Sequence, residues 1–155
     1  RETRLKKAIA PVLDNYDYIF IDSPPSLGLL TLNSLVASDS IIIPIQCEFY
    51  ALEGVSQLMH TLGLIREGLN SSLDIEGVLL TMADYRTNLT TEVINEIKEY
   101  FKDKVYNAII PRNIRLSEAP SHGKPITVYD GTSIGAKKYR ELASEVIGAS
   151  HKSHN

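Results

Sequence analysis

The sequence predicts a doubly wound α/β domain built on a mainly parallel sheet. Three observations predict it. Strand-length runs alternate with amphipathic helical segments along the chain. The run at residues 40–45, Ser-Ile-Ile-Ile-Pro-Ile, is apolar on both faces, as a parallel strand covered by helices on each side requires. At 155 residues, 43% apolar and 23% charged, the chain suffices for one hydrophobic core.

The elements follow in order. Leu5, Ile9, Val12 and Leu13 recur at helical spacing, and Asn15 closes this first helix. Residues 16–22, rich in aromatic and β-branched side chains, read as a strand ending in Asp22-Ser23-Pro24-Pro25. Two prolines cannot continue a ladder or a helix interior, so the chain turns, with Ser26 placed to cap a helix around Leu29, Leu30, Leu32 and Leu35. The strand at 40–45 carries Pro44 at its C-terminal end. A helix at about 51–67, a strand at 76–82 and a helix at about 90–102 follow, the last turning Val93, Ile94, Ile97 and Phe101 inward. A short strand at about 105–110 leads into Pro111-Arg112-Asn113. A Pro/Gly/His-rich loop runs through His122 to Pro125, and a last helix covers about 132–148. One domain is therefore expected over 1–148, with 149–155 as a flexible tail.

Composition narrows the function. A net charge of −3 gives no global attraction to nucleic acid, so DNA contact would need a local set of Arg or Lys. The single Cys47 excludes an internal disulfide framework and reads as a small buried hydrophobe. No apolar run approaches the roughly 20 residues that span a bilayer, so a cytoplasmic location is expected. His60, His122, His151 and His154 lack metal-ligand spacing, so no metal site other than one for Mg²⁺ is expected. The opening Arg-Glu-Thr, without Met, reads as the start of a fragment.

Ligands of open parallel sheets bind beyond the carboxyl ends of the strands. Here those ends are Asp22-Ser23-Pro24-Pro25, Gln46-Cys47-Glu48, Met82-Ala83-Asp84 and Pro111-Arg112-Asn113. A carboxylate ending an apolar strand must find a cation or donors. Asp22 is therefore the first candidate, as a Mg²⁺-side carboxylate acting through water or as a cap of the next helix.

The string Asp17-Tyr18-Ile19-Phe20-Ile21-Asp22-Ser23-Pro24-Pro25 resembles the Walker B segment of the ParA/Soj/MinD ATPases, P-loop NTPases of the deviant Walker A class. Three further stretches resemble the Soj branch: residues 24–31, Pro-Pro-Ser-Leu-Gly-Leu-Leu-Thr; residues 46–54, Gln-Cys-Glu-Phe-Tyr-Ala-Leu-Glu-Gly; and residues 111–125. The resemblance implies ATP and Mg²⁺ as ligands of the intact protein, with Asp22 holding Mg²⁺ through water. It implies a γ-phosphate-sensing switch at Pro24, Pro25, Ser26 and Gly28, and adenine contacts at Thr81, Met82, Pro111, Arg112 and Asn113. Sequence-nonspecific DNA binding falls to Arg86 and Arg115. It further implies an ATP-bound homodimer, a ParB-type partner, a place on the nucleoid, and a role in chromosome or plasmid partition.

The family's phosphate loop, K-G-G-x-G-K-[ST], is not in this sequence. Gly123-Lys124 is followed by Pro125 and follows no glycine-rich strand end, so it cannot replace that loop. Hydrolysis is therefore expected of the intact protein and not of this chain alone, and no cofactor is expected on the chain itself. The central strand that carries the loop in the family is expected to be missing from the sheet. Residues 16–22 would then be an open edge, closed by rearrangement or by self-association. A non-catalytic DNA- or protein-binding module is one alternative. A MinD-like cell-division ATPase is another, but residues 147–155 lack the basic amphipathic character of a membrane helix.

Overall fold

The computed structural model describes residues 1–24, 26 and 28–152, with side-chain surroundings through residue 148. They divide into two compact units, Arg1–Ile41 with Ser56–Ile75, and Ile42–Val55 with Glu76–Asn155.

In the first unit, helix α1 (Arg4–Ile9) gives way to a 3-10 turn (Ala10–Asn15) instead of running on to Asn15 as one α-helix. Pro11 sits in the first turn of that 3-10 segment, where its missing N–H removes the donor a continuing helix would need. Helix α2 (Leu29–Ala37) packs on α1, with the Leu5 amide donating to Asn33 Oδ1 at 3.2 Å. Its N-cap is Gly28 and not Ser26. The Thr31 hydroxyl instead reaches back to the Pro24 and Ser26 carbonyls, tying the loop to the first turn of the helix. Buried Asn70 anchors the other end of α2 by donating Nδ2 to the carbonyls of Leu35 (3.0 Å) and Ser38 (2.9 Å).

The expected strand at 16–22 does not form. Residues 16–24 adopt no strand or helix. The run has aromatic and β-branched character without a neighbour to accept its backbone bonds, and a strand is defined by that pairing. Tyr16 is 65% and Phe20 75% exposed, and the Tyr18 and Phe20 rings stack at 6.3 Å as side chains two apart on an extended chain do. Among the described residues no rearranged strand closes this edge.

Strands β1 (Ser40–Gln46) and β2 (Asp74–Thr81) pair in parallel, as predicted. Their pairing runs from Asp74 N on Asp39 O (3.1 Å) to Cys47 N on Thr81 O (2.9 Å). Helix α3 (Ala51–Gly68) connects them. Helix α4 (Asn88–Phe101) starts at a Thr87 cap and buries Thr90, Val93, Ile94, Ile97 and Phe101, the stripe its spacing predicts.

The expected strand at 105–110 is a partial ladder. It runs parallel to β2 through bridges at Val78–Val105 and Ala83–Pro111. Tyr106 N donates to Val78 O and Ile110 N to Leu80 O, at 3.0 and 2.9 Å. Four residues on one side thus span two on the other. The surplus lies at Asn107 and Ala108, whose amides donate to the Glu145 carboxylate of the last helix at 2.8 and 2.7 Å. A regular ladder would send the Ala108 amide to Leu80; a charged acceptor has taken it instead, together with the Asn107 amide.

Short helices α5 (Ile114–Glu118) and α6 (Ile126–Tyr129) flank the Pro/Gly/His-rich loop. Gly123, at φ +62°, supplies a left-handed turn between them. Helix α7 (Ile134–Lys152) continues four residues past the predicted end at 148, into the segment expected to be a tail. The core of this unit joins Leu79, Tyr106 and Ile110 to Ile42, Leu116, Leu142 and Val146. Cys47 is buried, as predicted, and burial pushes its thiol pKa up.

Candidate functional site: a slot at the carboxyl ends of the parallel segments

Backbone register places the site. In a regular parallel ladder, Ile110 would accept from the residue two beyond the one it donates to. Ile110 N donates to Leu80 O, yet Ile110 O accepts from Ala83 at 3.2 Å and not from Met82. The single surplus residue is a bulge, and Met82 absorbs it with φ +55°. A non-glycine residue in this left-handed region costs about 1 kcal/mol. Such bulges re-aim side chains next to functional sites. Thr81 is held on the other side, its amide carbonyl accepting from Cys47 and its hydroxyl donating to Ile45 O at 3.3 Å.

The result is an open slot of about 550 Å³. All five residues expected to contact adenine, Thr81, Met82, Pro111, Arg112 and Asn113, line it. Its size lies within the roughly 300–1,000 Å³ of small-molecule pockets. Gln46, Leu116, Ser117 and Tyr139 complete much of the wall. The sequence signalled Gln46 only as a strand-end residue and gave no sign of Tyr139, because an aromatic on an amphipathic helix reads as core. Close packing of α7 on α5 brings Tyr139 there, and it depends on Gly135, whose added Cβ would lie 2.7 Å from Leu116.

Polar groups at the slot are partly committed. Arg112 pairs with Glu48 at 3.2 Å, both about half exposed. Asn113 caps α5, its Oδ1 accepting from the Arg115 amide at 2.9 Å. The mixture of apolar wall, backbone groups and a guanidinium suits a flat heteroaromatic ring with polar edges.

Of the two arginines expected to contact DNA, Arg86 lies on the loop before α4 and Arg115 in the first turn of α5, and both are ion-paired. Arg86 grips Asp84 through Nε (2.8 Å) and Nη2 (2.6 Å). Those hydrogen bonds, with the one from the Arg86 amide, hold the Asp84 pKa down at about 2. Arg115 donates Nη1 to Glu118 at 3.0 Å and has Nε 3.5 Å from Asp130. The Tyr129 hydroxyl also donates to Glu118 at 3.1 Å, and the His122 ring stacks on Tyr129.

Asp22, Pro24, Ser26 and Gly28 belong to the first unit and are exposed there. Pro25 lies outside the described residues. Asp22 follows the unpaired run and does not end a strand. Among the described residues no group of three His, Cys, Asp or Glu side chains is arranged to hold a metal ion. A lone exposed carboxylate suits an ion that keeps its water shell. No described helix is long and apolar enough to cross a membrane.

A family model described as an AAA domain matches residues 1–75. Sporulation initiation inhibitor protein Soj of Bacillus subtilis is 65% identical over 146 residues, covering 94% of this chain and 58% of Soj. Chromosome partitioning protein ParA of Myxococcus xanthus is 56% identical, over 95% of this chain and 52% of ParA. The chain thus spans little more than half the length of these relatives. Cobyrinic acid a,c-diamide synthase of Mycobacterium smegmatis, solved with a bound ATP analogue and magnesium, aligns at TM-score 0.73 and 34% identity, over 92% of this chain and 51% of that one. The fold is accordingly a partial α/β domain of the P-loop NTPase type with a parallel sheet.

Proposed function

From a sequence of the ParA/Soj type, we propose that this chain supplies the base-binding and DNA-contacting part of a partitioning ATPase. The observation that carries the proposal is the slot. Five residues assigned to adenine by resemblance, from two segments about 30 positions apart in sequence, line one depression. Resemblance alone does not require that convergence.

Each residue then has a task. The Met82 bulge and Pro111 present backbone and apolar surface to the ring, Thr81 braces the bulge, and Arg112, held by Glu48, borders the ring's polar edge. Asp22 holds the water shell of Mg²⁺, and Pro24, Pro25, Ser26 and Gly28 form the switch. Bound Mg²⁺ neutralises charge on the phosphates. Arg86 and Arg115 take DNA phosphates without reading bases. The ATP-bound state is a homodimer, and a ParB-type protein stimulates hydrolysis.

The test uses the full polypeptide that carries this chain. Ser117→Trp fills the slot from α5, and ATP binding is expected to weaken at least about tenfold, or about 1.4 kcal/mol, with the melting temperature retained. Unchanged ATP affinity overturns the slot assignment. Absence of DNA-stimulated ATP hydrolysis in the unmodified protein overturns the enzymatic reading and favours a non-catalytic binding module.

A further inference from the structure

The same two arginines that the proposed function assigns to DNA are each occupied by a carboxylate, and the geometry of that occupation is specific. A guanidinium takes a phosphate in the bidentate manner it takes a carboxylate, through two adjacent N–H groups. On Arg86 such a pair, Nε and Nη2, is filled by the two oxygens of Asp84 at 2.8 and 2.6 Å. The Arg86 side chain is 85% exposed, so the pairing holds a surface guanidinium to its own loop and does not bury it. Arg115 is held less completely: Glu118 takes one hydrogen bond from Nη1 at 3.0 Å, and Asp130 lies 3.5 Å from Nε as an ion pair.

We infer that Asp84 is an internal competitor for DNA: it sits in the phosphate seat of Arg86, while Glu118 holds a single donor of Arg115 and competes there more weakly. The inference rests on the DNA-contact reading of these arginines. An alternative role, in which the carboxylate merely orients the guanidinium for DNA, predicts the opposite sign on removal. Electrostatics favours competition. A carboxylate a few ångströms from an incoming phosphate repels it and cancels the counterion release that the arginine would contribute. The depressed pKa of Asp84 keeps the competitor ionised across all working pH. DNA affinity is thereby held below what the guanidinium groups alone would give, which suits a protein that must leave DNA as well as bind it.

Asp84→Asn keeps an Oδ1 for the Arg86 amide, which now donates to Asp84 Oδ1 at 3.2 Å, while removing the charge. Anisotropy titrations of the full polypeptide with a random-sequence duplex, over a range of salt, are expected to show about fivefold tighter binding at low salt and a salt slope steeper by about one phosphate contact. Glu118→Gln, with Asp130 still beside Arg115, is expected to give about twofold on the same electrostatic basis. Glu99→Gln, an exposed charge change of equal size on α4, is the control and is expected to give less than either. In an Arg86→Ala background the gain from Asp84→Asn should vanish. Weaker or unchanged binding by Asp84→Asn overturns the inference while leaving the DNA reading intact, as does an equal gain without Arg86. Arg86→Ala binding as tightly as the unmodified protein removes the DNA reading, and the inference with it.

Discussion

Two segments of similar apolar and aromatic character meet different fates in this chain. Residues 16–22 have the stronger strand composition, yet they pair with nothing among the described residues and leave Tyr16 and Phe20 largely in solvent. Residues 105–111 look less like a strand, and they are fixed by three backbone hydrogen bonds to β2 and the bulge that follows it, and to α7 by Glu145. Propensity describes how well a side chain suits a pleated surface. Whether that surface exists depends on a partner at the right edge. The second segment has one, and the slot is built on it.

The largest expected effect comes from removing the clamp that tolerates irregularity there. Glu145 accepts from the amides of Asn107 and Ala108 and from Asn107 Nδ2. Ala108 is fully buried, so its N–H has no water to turn to. Glu145→Ala should cost about 2–3 kcal/mol, since charged hydrogen bonds are worth about 1.5–3 kcal/mol and part of this group is screened by solvent. The loss should appear as a lower denaturation midpoint with a similar slope. A loss under about 0.5 kcal/mol, the level of an ordinary surface change, would mean the two segments differ for some other reason than this clamp.

A second change tests the contact between β2 and the same segment. Gly77 lies directly beneath the Tyr106 ring, and a Cβ there would fall 2.4 Å from it. Gly77→Ala should cost about 2 kcal/mol through overpacking. Replacing Tyr106 with Leu in that background should recover part of it, a non-additivity that contact demands. If the two changes simply add, the ring is not what excludes the side chain.

Tyr106 also sharpens the comparison at smaller scale. Its ring is 6% exposed and its hydroxyl has no hydrogen-bond partner. Burial first, then the charges of Glu76 and Glu145, push its pKa up to about 12. A raised folded pKa means that the associated stability is complete below the unfolded value of about 10 and is lost as pH rises through the folded value. Between about pH 10 and 12 the native protein should therefore weaken. Tyr106→Phe should remove this loss and raise stability near neutrality by about 1 kcal/mol, the low end of the cost of an unpaired buried hydroxyl. Melting curves at pH 7 and pH 11 for both proteins decide it. Equal pH sensitivity in the two would show that another group titrates.

What the sequence made legible follows the same division. The alternation of elements, the inward stripe of α4 and the strand-end residues that line the slot were readable because each depends on local periodicity or on the general position of ligands in parallel sheets. The Met82 bulge was not readable, since its cause is the register of Ile110, a partner about 30 positions away. The Glu145 clamp looked like one of many helix-surface carboxylates. Asp84 and Arg86 stand two apart, close enough for a pair to be anticipated, but reading Arg86 for its charge alone left out what already faced it. Residues 16–22 misled in the reverse direction, because a strand pattern says nothing about whether a neighbour is present.

The smallest expected effect is therefore the one that tests this last point. Phe20 is 75% exposed, and its ring stacks on Tyr18, which is itself well exposed. Replacing a core Phe costs about 3–5 kcal/mol, whereas surface substitutions stay within about 0.5 kcal/mol. Phe20→Ser in this chain should fall in the second class when unfolding is followed by denaturant at low protein concentration. The same variant examined by light scattering as concentration rises separates two states of the exposed run. A chain that stays monomeric with or without Phe20 leaves the aromatic surface simply solvated. Association that Phe20→Ser abolishes would mean the run finds a second copy, as an unpaired apolar segment is prone to do. A stability loss of several kcal/mol at low concentration would contradict the contrast between the segments, because it would require Phe20 to be packed within its own chain.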